Sequence, residues 1–105
     1  MRLTQLPYPD ARLLVLEALQ RILERQRGMV VKVKGGRIGG EVAAILGREK
    51  CSAPELSLIH TVLAELELKR EPIRANGAEW LVTGVGRFKK CYHYYLLTRK
   101  KGKKV

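Results

Sequence analysis

EVAAILGREKCSAPELSLIHTVLAEL, residues 41–66, decides how the middle of this chain folds. Within it, Ser52-Ala53-Pro54-Glu55 places a serine at an N-cap, a proline in the first helical turn and a glutamate at the third helical position. Together these residues predict a capping box, which opens a helix that reaches about Lys69. Apolar spacings of 3, 4 and 3 predict its buried seam, with Val62 beside it: Leu56, Ile59, Leu63 and Leu66.

The chain before this segment predicts two further helices separated by a strand. Residues 1–9 form an expected extended arm, and Asp10 is the expected N-cap of a helix that runs from Ala11 to Arg27 and stops at Gly28. Residues 29–33 predict a short β-branched strand that ends at Gly35-Gly36, and residues 37–46 a second helix. The apolar face of that second helix comprises Ile38, Val42, Ile45 and Leu46.

The apolar face of the first helix is unusually wide. It covers roughly 200° of the helical wheel, about twice an ordinary one-sided stripe, and comprises Leu14, Val15, Leu16, Ala18, Leu19, Ile22 and Leu23. Such a helix is either buried on two sides within the fold or shared with a second chain. The second alternative predicts a homodimer through Leu16, Leu19, Ile22 and Leu23.

The chain after residue 70 predicts a β-hairpin. Trp80–Thr83 is one expected strand, Gly84-Val85-Gly86 a tight reversal, and residues 87–97 the second strand. Alternation divides the second strand into two faces, one of which must cover the core. One face holds Phe88, Lys90, Tyr92, Tyr94 and Leu96, and the other holds Lys89, Cys91, His93, Tyr95 and Leu97.

Positive charge is concentrated at the C-terminal end. The whole chain of 105 residues has a net charge of +11, and the last 26 residues carry eight bases and no acid. Because Phe88 and three tyrosines lie in the same stretch, it has the composition that a polyphosphate partner selects. The simpler alternative is a solvated tail beside an edge strand protected by lysines.

Composition narrows the class of protein. A hydrophobic content of 46% indicates one folded domain, and no apolar run approaches the ~18 residues of a membrane span. Without a secretory signal pattern, the expected location is cytoplasmic, in association with the nucleoid.

The scarcity of Asn and Gln favours a thermophilic, archaeal type of protein. In such a protein a disulfide between Cys51 and Cys91 is plausible.

The sequence gives no support for a metal site, a nucleotide cofactor or catalysis. Two cysteines and two histidines do not make a zinc pattern, because neither a CxxC nor an HxxxH is present. The glycines of residues 35–40 lack both the GK[ST] of a phosphate loop and the GxGxxG spacing of a dinucleotide fold. We therefore expect no cofactor and no enzymatic activity.

The order of elements is helix, strand, helix, capped helix and hairpin, and over residues 10–98 the chain resembles the winged helix-turn-helix superfamily. The segments that carry the resemblance are Glu41–Gly47, with an E-x-A-x-x-L-G-like pattern, and Ile59–Leu66. The resemblance implies an α+β fold of three helices, with a short strand after the first helix and a C-terminal hairpin as the wing. It also implies that the third helix lies in the major groove of duplex DNA.

We therefore expect a DNA-binding protein, either a transcriptional regulator or a chromosome-organising protein. The third helix presents small, mostly neutral residues opposite its seam, so low sequence specificity is expected. Residues 99–105 are expected to form a basic disordered tail that adds non-specific affinity. The expected nucleic-acid-binding residues are Arg37, Arg48, Lys50, Ser57, His60, Thr61, Arg87, Lys89, Lys90, Tyr92, Tyr94, Arg99, Lys100, Lys101, Lys103 and Lys104.

Two alternatives remain open at the level of sequence. The first is a binder of single-stranded DNA or RNA, which would stack bases on the tyrosine face of the hairpin beside a cation. The second is an accessory subunit of a replication or transcription complex, whose winged helix binds protein. The acidic residues on the third helix and the broad apolar face of the first support this second alternative.

Overall fold

The chain folds as three α-helices packed on one face of a four-stranded antiparallel sheet. The structure, a computed structural model, describes residues 1–88 and 92–100, without the side chains at positions 87, 88 and 92. A short 3-10 helix (Leu3–Gln5) precedes α1 (Tyr8–Leu23), β1 (Val30–Lys34), α2 (Gly35–Ile45) and α3 (Ala53–Lys69). The chain continues with β2 (Ile73–Ala75), β3 (Ala78–Phe88) and β4 (Tyr92–Arg99).

The first residues belong to the core, and the prediction of an extended arm was wrong. Leu3 has no exposed surface and packs among the core residues, an apolar burial that contributes about 1.5–3 kcal/mol. The first long helix also begins earlier than predicted, because Pro9 fits its first turn and Pro7 occupies the N-cap position in place of Asp10. It ends at Leu23, four residues before the predicted end at Arg27.

The wide apolar face of α1 is explained by burial within one chain. Ala11, Val15 and Ala18 are fully buried together with Leu19, Ile22 and Leu23. Three of the four residues that predicted a dimer are therefore occupied in the chain's own core, and only Leu16 is partly exposed. Leu19, Ile22 and Leu23 are therefore not available to a second copy, and a homodimer through α1 stays a prediction.

The helices α2 and α3 confirm the predicted elements of residues 41–66. Ser52 is the N-cap of α3, and its backbone N–H donates to Glu55 Oε1 at 2.9 Å. Ile59, Leu63 and Leu66 are buried as predicted, together with Val62, whereas Leu56 is 37% exposed. Leu56 lies on the side of α3 next to Gly39, and this contact replaces the expected place in the seam.

The side chain of Glu55 joins three parts of the chain in a buried position. Its carboxylate accepts hydrogen bonds from the N–H of Leu3 at 2.8 Å and from Arg48 Nη1 at 2.6 Å, besides those from Ser52. Burial raises the pKa of this carboxyl, but the hydrogen bonds from Arg48, Ser52 and Leu3 lower it by more, to about 2. The carboxylate therefore remains charged inside the fold at neutral pH.

The sheet has the order β1-β4-β3-β2, with every pair antiparallel. Its inner face, against the helices, carries Val31, Val33, Ile73, Ala75, Trp80, Val82, Tyr95 and Leu97. The prediction of a reversal at Gly84–Gly86 was wrong, because β3 continues through these residues and pairs with β4 as far as Phe88 and Tyr92. The strand β4 also includes Arg99, which had been assigned to the tail.

Two adjacent glycines in α2 lead to opposite expectations for alanine substitutions. A Cβ at Gly40 would meet nothing within 4 Å, so Gly40→Ala should stabilise the protein by about 0.5–1 kcal/mol through helix propensity. A Cβ at Gly39 would lie 2.6 Å from Leu56 Cδ2, so the same gain should be cancelled or reversed there. Urea unfolding of both variants measures the difference, and an equal stabilisation by Gly39→Ala would contradict the close packing of α2 on α3.

The buried carboxylate of Glu55 predicts how stability depends on pH. Its pKa is about 2 in the folded state and 4.5 ordinarily, so its contribution is present above about pH 5 and is lost as the pH falls toward 2. Glu55→Gln should lower the free energy of unfolding by about 2–4 kcal/mol at pH 7 and should weaken the acid dependence. Urea unfolding between pH 7 and pH 2.5 tests this, with Glu49→Gln, at an exposed position of the same turn, as the control. If the free energy of unfolding of Glu55→Gln keeps the acid dependence of the wild type, other titratable groups cause that dependence.

Candidate nucleic-acid interface

Three ring side chains form a cluster that joins α3 to β4 at the base of the hairpin. They are His60 on α3 and His93 and Tyr95 on β4. His60 Nδ1 lies 3.0 Å from the hydroxyl of Tyr95, and the rings of His60 and His93 have centroids 4.1 Å apart. Burial raises the pKa of Tyr95 to about 12, so its hydroxyl keeps its proton at neutral pH. His60 is thus half-buried in a contact that positions the hairpin against α3.

The start of α2 reaches the same place. A Cβ at Gly35 would lie 3.5 Å from the carbonyl oxygen of His93 and 3.7 Å from Tyr95 Cε2. The pairing of Lys34 with Tyr94, and of Tyr94 with Gly86, forms the last row of three strands before β3 and β4 continue alone to Phe88 and Tyr92. Three elements of the predicted interface therefore meet at the base of the hairpin: the first turn of α2, the middle of α3 and the distal part of β4.

Three exposed cations at the start of α2 and before α3 have no acidic partner within residues 1–88 and 92–100. Lys34 is exposed at the N-cap of α2, Arg37 is exposed in its first turn, and Lys50 is exposed in the turn before α3. None of the three forms an ion pair with a described carboxylate. Arg48, in contrast, is paired with the buried Glu55, which raises the pKa of its guanidinium and gives it a role in the fold.

The outward face of α3 is small and uncharged along most of its length. Ser57 and Thr61 are exposed, and the Thr61 hydroxyl donates to the carbonyl of Ser57 at 3.1 Å. Leu68 continues the same face toward the C-terminal end and is 83% exposed. This face can approach another surface closely, but it carries no guanidinium or amide for a bidentate contact with a base.

Tyr94 lies on the outer face of the sheet, opposite the helices. Its ring extends across Gly86, where a Cβ would come within 2.3 Å of Tyr94 Cζ. The ammonium of Lys32 lies 4.5 Å from the centroid of the same ring. Gly86 is therefore used for the close approach of an aromatic ring, and Lys32 is held by a cation–π contact.

The predicted cations at the end of β4 lie far from the hairpin tip. Arg99 lies seven positions after Tyr92, so about 23 Å of extended strand lie between them. Arg99 stacks over the ring of Trp80 at 5.0 Å, and Lys100 Nζ lies 4.0 Å from Glu79 Oε1. Arg99 and Lys100 thus pack against the body of the domain and do not extend the unpaired charge at the junction.

Several predicted site residues lie wholly or partly outside the described residues. Lys89, Lys90, Lys101, Lys103 and Lys104 lie outside, as does Cys91, so the proposed disulfide remains a prediction. Arg87 and Tyr92 are described only by their backbone, in β3 and β4. Cys51 is half-buried and donates to the carbonyl of Gly39 at 3.3 Å, and burial raises the pKa of its thiol.

One residue of this region, His93, was missed by sequence reasoning, whereas Lys32 and Lys34 form with Arg37 a basic cluster before the second helix that the sequence does indicate. Lys32 and Lys34 alternate with buried valines along β1, so the period-2 pattern of Val30–Lys34 was the signal that places them on the outer face. His93 precedes Tyr95 by two residues and therefore shares its face of β4. Its ring contact with His60 depends on how α3 packs against the sheet, and no local sequence pattern predicts that packing.

The described residues provide two negative observations. No helix in the described ranges is long and apolar enough to cross a membrane, and no group of three His, Cys, Asp or Glu side chains there could hold a metal ion. Comparison with models of protein families, with curated proteins and with solved structures finds no match to this chain.

Proposed function

We propose that this chain is a winged helix-turn-helix protein that binds duplex DNA through α3, the β3–β4 hairpin and the basic C-terminal residues. The order of α1, β1, α2, α3 and the hairpin supports this proposal, since it is the order implied by the resemblance. The short strand β2 and the N-terminal 3-10 helix are additions to that order. A transcriptional regulator and a chromosome-organising protein are the two roles that fit such binding.

One observation carries the proposal: positive charge without acidic partners surrounds the base of the hairpin. Lys34 and Arg37 lie there, and residues 80–105, which include the tip, contain no acid. Among the described acidic residues, Glu65, Glu71 and Glu79 are each paired with arginine or lysine. A localised field of this kind attracts the phosphates of nucleic acid and orients the approach.

The exposed face of α3 supports binding with low sequence specificity. Discrimination between bases needs Arg, Lys, Asn, Gln or acidic side chains that reach base edges in the major groove. Ser57 and Thr61 offer hydroxyl groups, which suit hydrogen bonds to phosphate and sugar. Affinity would then come mainly from contacts with the phosphates and sugars of DNA, as expected for a protein that binds many different DNA sequences.

A second candidate function, an accessory subunit that binds protein, is favoured by one specific observation. Leu68 is 83% exposed on α3, and Leu13 is 62% exposed on α1. Apolar side chains this exposed on two helices fit a partner that buries them. The single-strand alternative gains no such support from Tyr94, because this ring already contacts Gly86 on the sheet and Lys32.

The proposal is tested by fluorescence anisotropy with a random duplex and a single strand of equal length across a salt series. The wild type should bind the duplex with a steep dependence on salt. The triple variant R87A/K89A/K90A should bind more weakly and should flatten the log–log slope by up to about 2.7, because each lost phosphate contact removes about 0.9.

The matched control is R21A/R25A/K69A, which removes the same charge from cations that already face carboxylates. An unchanged slope in the wing variant would remove the hairpin tip from the interface. Stronger binding to the single strand would favour the alternative that uses the tyrosines. Negligible binding of the wild type to either DNA at physiological salt would leave the protein-binding subunit as the leading function.

A further inference from the structure

The outer face of the sheet is a second exposed surface, directed away from α3. The three helices cover only the inner face, so the alternate residues of β1, β3 and β4 face outward. The side chains of Val30, Lys32 and Lys34 are exposed there, and Tyr94, Leu96 and Thr98 lie beside them on β4.

The chemistry of this face is cationic and rich in hydrogen-bonding groups. Lys32 and Lys34 form no ion pair with a described residue, and neither β1 nor β4 contains an acid. The hydroxyl oxygens of Thr83 and Thr98 lie 2.7 Å apart on the same face. The one acid of β3, Glu79, pairs with Arg74 and Lys100 at the opposite end of the strand from Gly86.

The side chain of Lys32 is oriented by a neighbouring aromatic ring. Its ammonium rests against the ring of Tyr94, and that ring lies across Gly86, where the missing Cβ leaves room for it. A lysine held in this way loses less side-chain entropy when it binds an anion. Gly84 has the same function for Leu96, whose Cδ1 would lie 3.2 Å from a Cβ at that position.

We propose that the outer face of the sheet binds the phosphate backbone of nucleic acid, with Lys32 and Lys34 as the principal contacts. This inference rests on the proposed function, because it assigns a second surface for the same partner. Charge complementarity is its basis: one cation oriented by an aromatic ring, a second exposed cation, two hydroxyl groups and no described acid on β1 or β4 match the groups that contact phosphates in nucleic-acid complexes. Because α3 lies on the other side of the sheet, Lys32 lies outside the α3 face, whereas Lys34 also borders the base of the hairpin.

The variant K32Q/K34Q tests the inference in the full chain, with the same random duplex and salt series. Removal of two phosphate contacts should lower the magnitude of the log–log salt slope by about 1.8. R21Q/R25Q is the control of equal charge, since Arg21 and Arg25 already face Glu17 and Glu41. K32R/K34R should retain the slope of the wild type, because arginine also binds phosphate.

Glycine 86 offers a further variant that leaves every charge in place. Gly86→Ala should displace the Tyr94 ring and release Lys32, so duplex affinity should fall several-fold while the salt slope is kept. Circular dichroism of each variant confirms that the fold is retained. Unchanged affinity in Gly86→Ala would overturn the role of Tyr94 in positioning Lys32.

The outcomes separate this inference from the proposed function. If the wild type binds duplex DNA and K32Q/K34Q has the slope of R21Q/R25Q, the outer face is not a phosphate-binding surface. The role of Lys32 and Lys34 would then be to keep the edge strand β1 from pairing with strands of other chains. If the wild type binds no nucleic acid, the proposed function and this inference both fail.

Discussion

The buried carboxylate of Glu55 is the interaction on which the arrangement of this domain depends. It sits in the first turn of α3, yet it also binds the N–H of Leu3 and the guanidinium of Arg48. One side chain therefore holds together the N-terminal residues, the turn after α2 and the start of α3. Several hydrogen-bond donors compensate its charge, so the carboxylate is stable in a buried position. Removal of any one donor would leave part of that charge unsatisfied.

The orientation of α3 determines what the rest of the molecule can present. Its inner side is fixed by Ile59, Leu63 and Leu66, and its middle is tied to β4 through His60 and Tyr95. The outward side is consequently left with hydroxyls and Leu68. This side offers hydroxyl groups for hydrogen bonds but no guanidinium or amide of the kind that reads base edges, which is the basis of the low sequence specificity proposed above.

The sequence predicted the capped helix well because its signals are local. Ser52, Pro54 and Glu55 lie within four residues, and the seam of α3 follows one period. The start of α1 was missed because Asp10 is a stronger N-cap by residue type than Pro7, while burial of Leu3 pulls the preceding chain onto the core. That burial depends on a contact 52 residues away in the chain, which local patterns do not contain.

The glycines of β3 show why the candidate site was harder to predict than the fold. Gly84-Val85-Gly86 has the composition of a turn, but in the structure its glycines give space to Leu96 and Tyr94 from the neighbouring strand. Because β3 pairs with β4 as far as Phe88 and Tyr92, the hairpin is longer than the sequence predicted. The pairing of β1 with β4 places Lys32 over the Tyr94 ring, 4.5 Å from its centroid. Cross-strand register, set by the whole sheet, therefore decides which aromatic rings remain free.

The register also separates the basic residues into groups that the sequence presents as one. Arg87 and Arg99 lie within a single charged stretch, yet β3–β4 pairing places them toward opposite ends of the hairpin. Arg99 is stacked on Trp80 and Lys100 faces Glu79, so the charge at that end is partly used by the fold. Lys34 and Arg37, which are distant in sequence from the tail, lie instead at the base of the hairpin. An interface for phosphates is therefore better defined by strand pairing than by the density of lysine and arginine along the chain.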